Sequence, residues 1–370
     1  MLTADQFDAL VEPIVELFNE LQTTVIADIA RRLAGLDFAS PTAAWQMQRL
    51  SEAGALYDDI LKELSRLTGK SEATLRRIFQ QAGVKALKFD DSVYRAAGLN
   101  PLPLNLSPAM AQTLAAGLRK TQGAVRNLTM TTALSGQDAF IRAADQAYLQ
   151  ITTGTFSYQD ALKQAVRDVS EEGLTVISFP RRAEQLDVAM RRTVLTGVGQ
   201  TTAELSLSRA AEMNQDLVQM SAHGGARPEH AEWQGQVFSR SGAHPKFPPF
   251  VESTGYGTVT GFAGVNCRHS AFPFFEGLSQ NAYDRATLDE MADKTVEYNG
   301  RELSHYQATQ QQRYIERKIR YWKRHAAAFE AAGLPADREL AKVRDWQARM
   351  RDFIRQTSLQ RDRFREQVFE

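Results

Sequence analysis

At 370 residues the chain exceeds one average domain and can bury a substantial core. Its 44 Lys+Arg balance 44 Asp+Glu, which excludes a globally basic nucleic-acid binder and makes any contact with a polyanion a local affair. The single cysteine, Cys267, excludes an internal disulfide and suits assembly in a reducing cytoplasm.

The opening, MLTADQFDALVEPIVELFNELQ, sets acidic residues among apolar positions at helical spacing. That is not the basic end, apolar core and cleavage site of a secretory signal. No apolar run approaches the roughly 20 residues needed to cross a bilayer, so the sequence predicts a soluble protein. Leu10, Ile14, Leu17 and Leu21, then Trp45, Leu50, Tyr57, Leu61 and Leu64, recur at helical intervals and predict helices through to about residue 220. Breaks are expected at AGLDFASP (34–41) and at AAGLNPLPLNLSP (96–108), whose three prolines cannot sit inside a helix. Ser157 is placed to cap a helix start. One long helix is expected from about 180 to 215, with Gly197 and Gly199 marking a bend or a close helix contact.

Between about 217 and 280 the helical period disappears and Gly and Pro cluster. DLVQMSA, GQVFS and TVTGFAG read as short strands of a loop-rich α+β module, which holds four of the six histidines and the cysteine. Beyond residue 300 the chain turns helical again, with 16 Lys or Arg against 10 Asp or Glu. Gly333 to Asp337 divides this segment into a hairpin, whose second helix aligns Leu340, Val343, Trp346, Met350, Phe353 and Thr357 on one face. The predicted fold is mostly α: an N-terminal helical region (1–100), a middle helical region (101–216), an α+β module (217–299) and a basic C-terminal helical hairpin (300–370).

Three kinds of chemistry compete for the module. His223, His230, Cys267 and His269 are ligand types that zinc accepts, although their spacing is unlike the short pairs of strong zinc signatures and Pro228 stiffens the link between the first two. No other cofactor has a motif here. His223, Arg227, His230, Arg268 and His269 could supply an acid, a base and an anion clamp for phosphodiester cleavage. Cys267 with Arg268 and His269 could supply a nucleophile. Against all three stands a buried hydrogen-bond network beside the aromatic core of Trp233, Phe238, Tyr256, Phe262, Phe272, Phe274 and Phe275, and the architectural reading is preferred. In the C-terminal segment Arg313, Arg317, Lys318, Arg320, Lys323 and Arg324 are candidate phosphate contacts, but the Glu316–Arg320 spacing favours a solvated helix face.

Taken together, SAHGGARPEHAEWQGQVFS, TGYGTVTGFAGVNCRHSAFPFFEG and YQATQQQRYIERKIRYWKR resemble the phage minor capsid protein 2 family, over about residues 215–365. More distantly, the Arg-Pro-x-His and Asn-Cys-Arg elements look like those of Mu F-like head morphogenesis proteins. The shared residues fall on His223, Ala226, Arg227, Pro228, His230, Trp233, Gln234, Gly235, Tyr256, Gly257, Asn266, Cys267, Arg268 and His269. The resemblance implies a non-enzymatic virion component at the portal vertex of a tailed phage. Its partners would be the portal protein and/or the major capsid protein, with packaged double-stranded DNA as a further contact; it would stand in the head interior or at the portal vertex, and in the host cytoplasm during assembly. The competing expectations are a virion-borne phosphodiester hydrolase and an internal DNA-contacting protein.

Overall fold

A computed structural model of the chain describes residues 1–178 and 182–368. The fold is mostly α, as the periodicity predicts. Helices α1 (Ala4–Ala34), α2 (Thr42–Ala96) and α3 (Pro108–Met130) stop and restart at the two predicted breaks. They are followed by α4 (Thr132–Thr152) and α5 (Tyr158–Glu172), the latter capped by Ser157, whose hydroxyl accepts the Asp160 amide at 3.2 Å.

The long helix expected from about 180 begins later. Residues 179–181 lie outside the described residues, and around them β1 (Thr175–Ser178) pairs antiparallel with β2 (Arg182–Gln185) before α6 runs Leu186–Glu212. The β-branched Thr175, Val176 and Ile177 favour an extended backbone there.

Next come β3 (Leu217–Met220), the single turn α7 (Pro228–Ala231), β4 (Val237–Ser239), α8 (Phe250–Thr254), β5 (Ala271–Pro273) and α9 (Arg285–Asp293). DLVQMSA and GQVFS supply strands, but TVTGFAG does not. There a Cβ on Gly261 would collide with the Gly255 backbone, and Ala263 takes a positive φ of 56°, so the segment folds into tight turns. A hairpin of β6 (Thr295–Tyr298) and β7 (Arg301–Ser304) leads into α10 (His305–Ala331) and α11 (Asp337–Thr357). Asn299 and Gly300 both take positive φ, 51° and 71°, which identifies the two-residue turn that an Asn-Gly pair favours.

The chain forms two compact units, each from three separated segments, and every boundary between them falls inside a helix. This differs from the linear partition at 100, 216 and 299. Apolar periodicity reports that a helix has a buried face, not which neighbour covers it at each turn.

The first unit contains residues 1–14, 72–125 and 191–309. Its three-stranded antiparallel sheet has the order β4-β3-β5, with Val218 opposite both Phe238 and Pro273. Val218, Met220, Trp233, Phe238, Phe250, Phe262 and Cys267 are buried in one cluster with Ala203 and Ala210 of α6.

The second unit contains residues 15–71, 126–190 and 310–370. On its part of α2 Trp45 and Leu64 are buried as predicted, whereas Leu50 and Leu61 are exposed and Ala53, Leu56 and Ile60 line the buried face instead. Tyr314 of α10 and Trp346 of α11 meet edge to face at 5.7 Å, closing the helical hairpin. Val343, Met350, Phe353 and Thr357 are buried as predicted, but Leu340 is 38% exposed and Glu339 is buried in its place.

Candidate metal centre and motif cluster

The first unit's sheet explains why distant motif residues meet. In an antiparallel order β4-β3-β5, the exit of β3 and the entries to β4 and β5 lie at the same end of the sheet. Two segments therefore arrive together: the loop between β3 and β4, carrying His230, and the approach to β5, carrying Cys267-Arg268-His269. Pro228 assists, because it starts the single turn α7 with Arg227 as N-cap and sets His230 on the inner face. Ser221 and Ser270 then lock the loops: the Ser221 amide donates to the Ser270 carbonyl at 2.8 Å, and the Ser270 amide to the Ser221 hydroxyl at 2.8 Å.

The result is a buried trio. His230, Cys267 and His269 are 2%, 2% and 3% exposed. The Nδ1 atoms of the two imidazoles stand 3.4 Å apart, and Cys267 Sγ lies 3.9 Å from His230 Nδ1 and 3.7 Å from His269 Nδ1. Both outer ring nitrogens are engaged. His230 Nε2 donates to the Thr260 carbonyl at 2.7 Å, and His269 Nε2 to Gln234 Oε1 at 3.2 Å. Gln234 is oriented by its second contact, since the same Oε1 accepts the His223 amide at 3.2 Å. Trp233 packs its ring 4.6 Å from that of His230 and 4.7 Å from that of His269.

His223 belongs to the cluster without joining the trio. Its ring lies against that of His269 at 4.4 Å, and its Nδ1 bonds the Gly224 carbonyl at 3.0 Å. The two arginines are also committed: Arg227 donates to the Val265 carbonyl, and Arg268 pairs with Asp8 at 3.0 Å. Asp8 in turn holds Arg191 at 2.8 Å, and the Ser270 hydroxyl donates to the Leu2 carbonyl, which ties the start of the chain to the module.

Burial governs the electrostatics. It lowers His230 below the ordinary imidazole range, lowers His223 to about 4 with help from Arg268, and holds His269 well below that range with His223 beside it. Burial also raises the Cys267 thiol. A nucleophilic cysteine needs the thiolate, so this environment opposes that role.

A family model for phage minor capsid protein 2 matches residues 2–355. The chain belongs to that family. Two phage relatives are described as structural proteins. One, from Lactococcus phage LL-H, is 24% identical over 345 residues, 89% of this chain and 89% of that protein. The other, from Lactococcus phage mv4, is 33% identical over 91 residues, 24% of this chain and 63% of that protein. No solved structure matches. The family match ends at residue 355 but reaches back from the motif-bearing stretch to residue 2, taking in the N-terminal helices.

In this minor capsid protein the basic residues of α10 are not one face. Arg324 is buried and its Nη2 lies 2.8 Å from Asp187 Oδ2, while Arg320 Nε reaches the same oxygen at 3.2 Å. Glu316 is buried as well, so the Glu316–Arg320 pair is not on a solvated face. Lys323 bonds Gln367 at 3.0 Å, and Lys318 lies 5.0 Å above the Tyr321 ring. Arg317 is exposed, and Arg313 is partly buried. Asp8 and the Thr260 carbonyl are partners that the sequence reading did not name, and Gln234 it named only among the residues shared with the family, without a role.

Proposed function

We propose that this minor capsid protein is a structural component of the phage head at the portal vertex, acting through docking and not through catalysis. It contacts the portal protein or the major capsid protein, and its basic C-terminal helices lie against packaged double-stranded DNA. It reaches that place from the host cytoplasm during assembly. Family membership and the two phage structural relatives support the virion role. Among the described residues no helix is long and apolar enough to cross a membrane.

The observation that carries the structural reading is the burial of His230, Cys267 and His269 together with the commitment of Arg227 to Val265 and of Arg268 to Asp8. A phosphodiester would need these groups at the surface, with a charged clamp open to it. Here they close two loops onto one sheet end.

Co-sedimentation with purified portal or procapsids tests the assignment, alongside particles made without the protein. Association, with defective particles in its absence, is expected. No association, with fully infectious particles, overturns it. Cleavage of RNA or DNA by the purified protein, abolished by His223→Ala with His269→Ala, would establish the hydrolase reading instead.

A further inference from the structure

The geometry points to a zinc site in which His230 Nδ1, His269 Nδ1 and Cys267 Sγ bind one Zn²⁺, with a solvent molecule completing the tetrahedron. Two independent observations lead there.

The first is distance. Tetrahedral zinc, with Zn–N near 2.05 Å and Zn–S near 2.3 Å, places its ligand atoms about 3.3 Å apart for N···N and about 3.6 Å for N···S. The trio shows 3.4 Å between the nitrogens and 3.7 and 3.9 Å from the sulfur to each. These separations suit a metal between the three atoms.

The second is hydrogen counting. A carbonyl can only accept, so His230 carries its proton on Nε2, where it bonds Thr260. Gln234 Oε1 is fixed as an acceptor by the His223 amide, which places the His269 proton on Nε2 too. Both Nδ1 atoms therefore present lone pairs to each other in a buried space, and the thiol hydrogen can satisfy only one. An unrelieved meeting of acceptors is costly away from water, and a cation at the common point removes it. Outer-nitrogen bonds to a carbonyl and an amide oxygen are also how metal-binding histidines are held in orientation.

On binding, the Cys267 thiol loses its proton to solvent as the S–Zn bond forms, and both imidazoles stay neutral. Affinity accordingly rises with pH. The ion would staple the loop between β3 and β4 to the approach to β5. This inference does not depend on where in the virion the protein docks.

The test uses the full-length protein, stripped with chelator and titrated with Zn²⁺ or with Co²⁺ as a spectroscopic stand-in. The expected result is one metal per chain, a melting temperature raised by about 5 °C or more and returned by chelator, and a thiolate-to-cobalt charge-transfer band. Cys267 is the only cysteine, so that band in the unmodified protein identifies its ligand without relying on a variant's folding. Cys267→Ser should abolish the band, and His223→Gln should retain stoichiometric metal. Sub-stoichiometric metal with a melting temperature indifferent to chelator overturns the site, as does stoichiometric cobalt without a thiolate band.

Discussion

The side chain of Thr121 on α3 fills the space in which Gly197 on α6 would carry a Cβ. The relationship is reciprocal, because Thr201 of α6 fills the corresponding space at Gly117 of α3. Two glycines thus let two antiparallel helices of the first unit approach closely, and both threonines are buried in the contact. Gly197→Ala is expected to cost about 2 kcal/mol, since overpacking outweighs the better helix propensity of alanine. Thr121→Gly combined with it should recover part of the loss, a coupling that urea midpoints in a double-mutant cycle would read.

Asp187 is buried in the second unit between Arg320 and Arg324, and Arg324 also bonds Asn19 and Gln185. Burial alone would raise its carboxyl, but the two guanidinium groups hold it below the ordinary range. Asp187→Ala leaves two cations facing each other without their counter-ion. A loss of about 3–5 kcal/mol is expected on chemical denaturation, and an unchanged midpoint would show that the triad contributes nothing.

Asp90 moves the opposite way. Burial pushes its carboxyl up to about 7, so the folded protein holds a proton that the unfolded chain releases near pH 4. The stabilisation is complete below the unfolded value and is lost as pH rises through about 7. Asp90→Asn, a permanently uncharged mimic, should match the parent's melting temperature at about pH 4 and exceed it by several degrees at about pH 8. A constant difference across that range would contradict the assignment.

Of the six C-terminal cations, Arg320 and Arg324 are paired with Asp187, Lys323 bonds Gln367 and Arg313 is partly buried, so exposed Arg317 and the adjacent Lys318 are the pair to test against a phosphate backbone. The double variant Arg317→Ala with Lys318→Ala should lower affinity for duplex DNA and reduce the slope of log affinity against log salt by about 2. Fluorescence anisotropy across a salt series measures it. An unaltered slope would remove these residues from the proposed DNA contact.

Helix punctuation was legible from local chemistry. The proline-rich break before α3, the Ser157 cap and the stop at Gly333 act through φ restriction and unpaired amides within a few residues. The β6–β7 hairpin carried an equally local sign in Asn299-Gly300, a turn pair to which helical periodicity is blind. The strand reading of TVTGFAG failed because alternation cannot register how closely Gly261 approaches Gly255.

By itself the sequence determined the mostly helical class, the inventory of His, Cys and Arg in the module, and the family likeness, all of which are carried by residue type and short spacing. Only the tertiary structure decided what that inventory does. The order β4-β3-β5 brought His230 to Cys267 and His269 across 37 and 39 residues of chain. Asp187 claimed Arg324 from 137 residues away and took it out of a basic helix face. Spacing along a chain sets which side chains share a face, whereas burial and pairing depend on which distant segment covers that face.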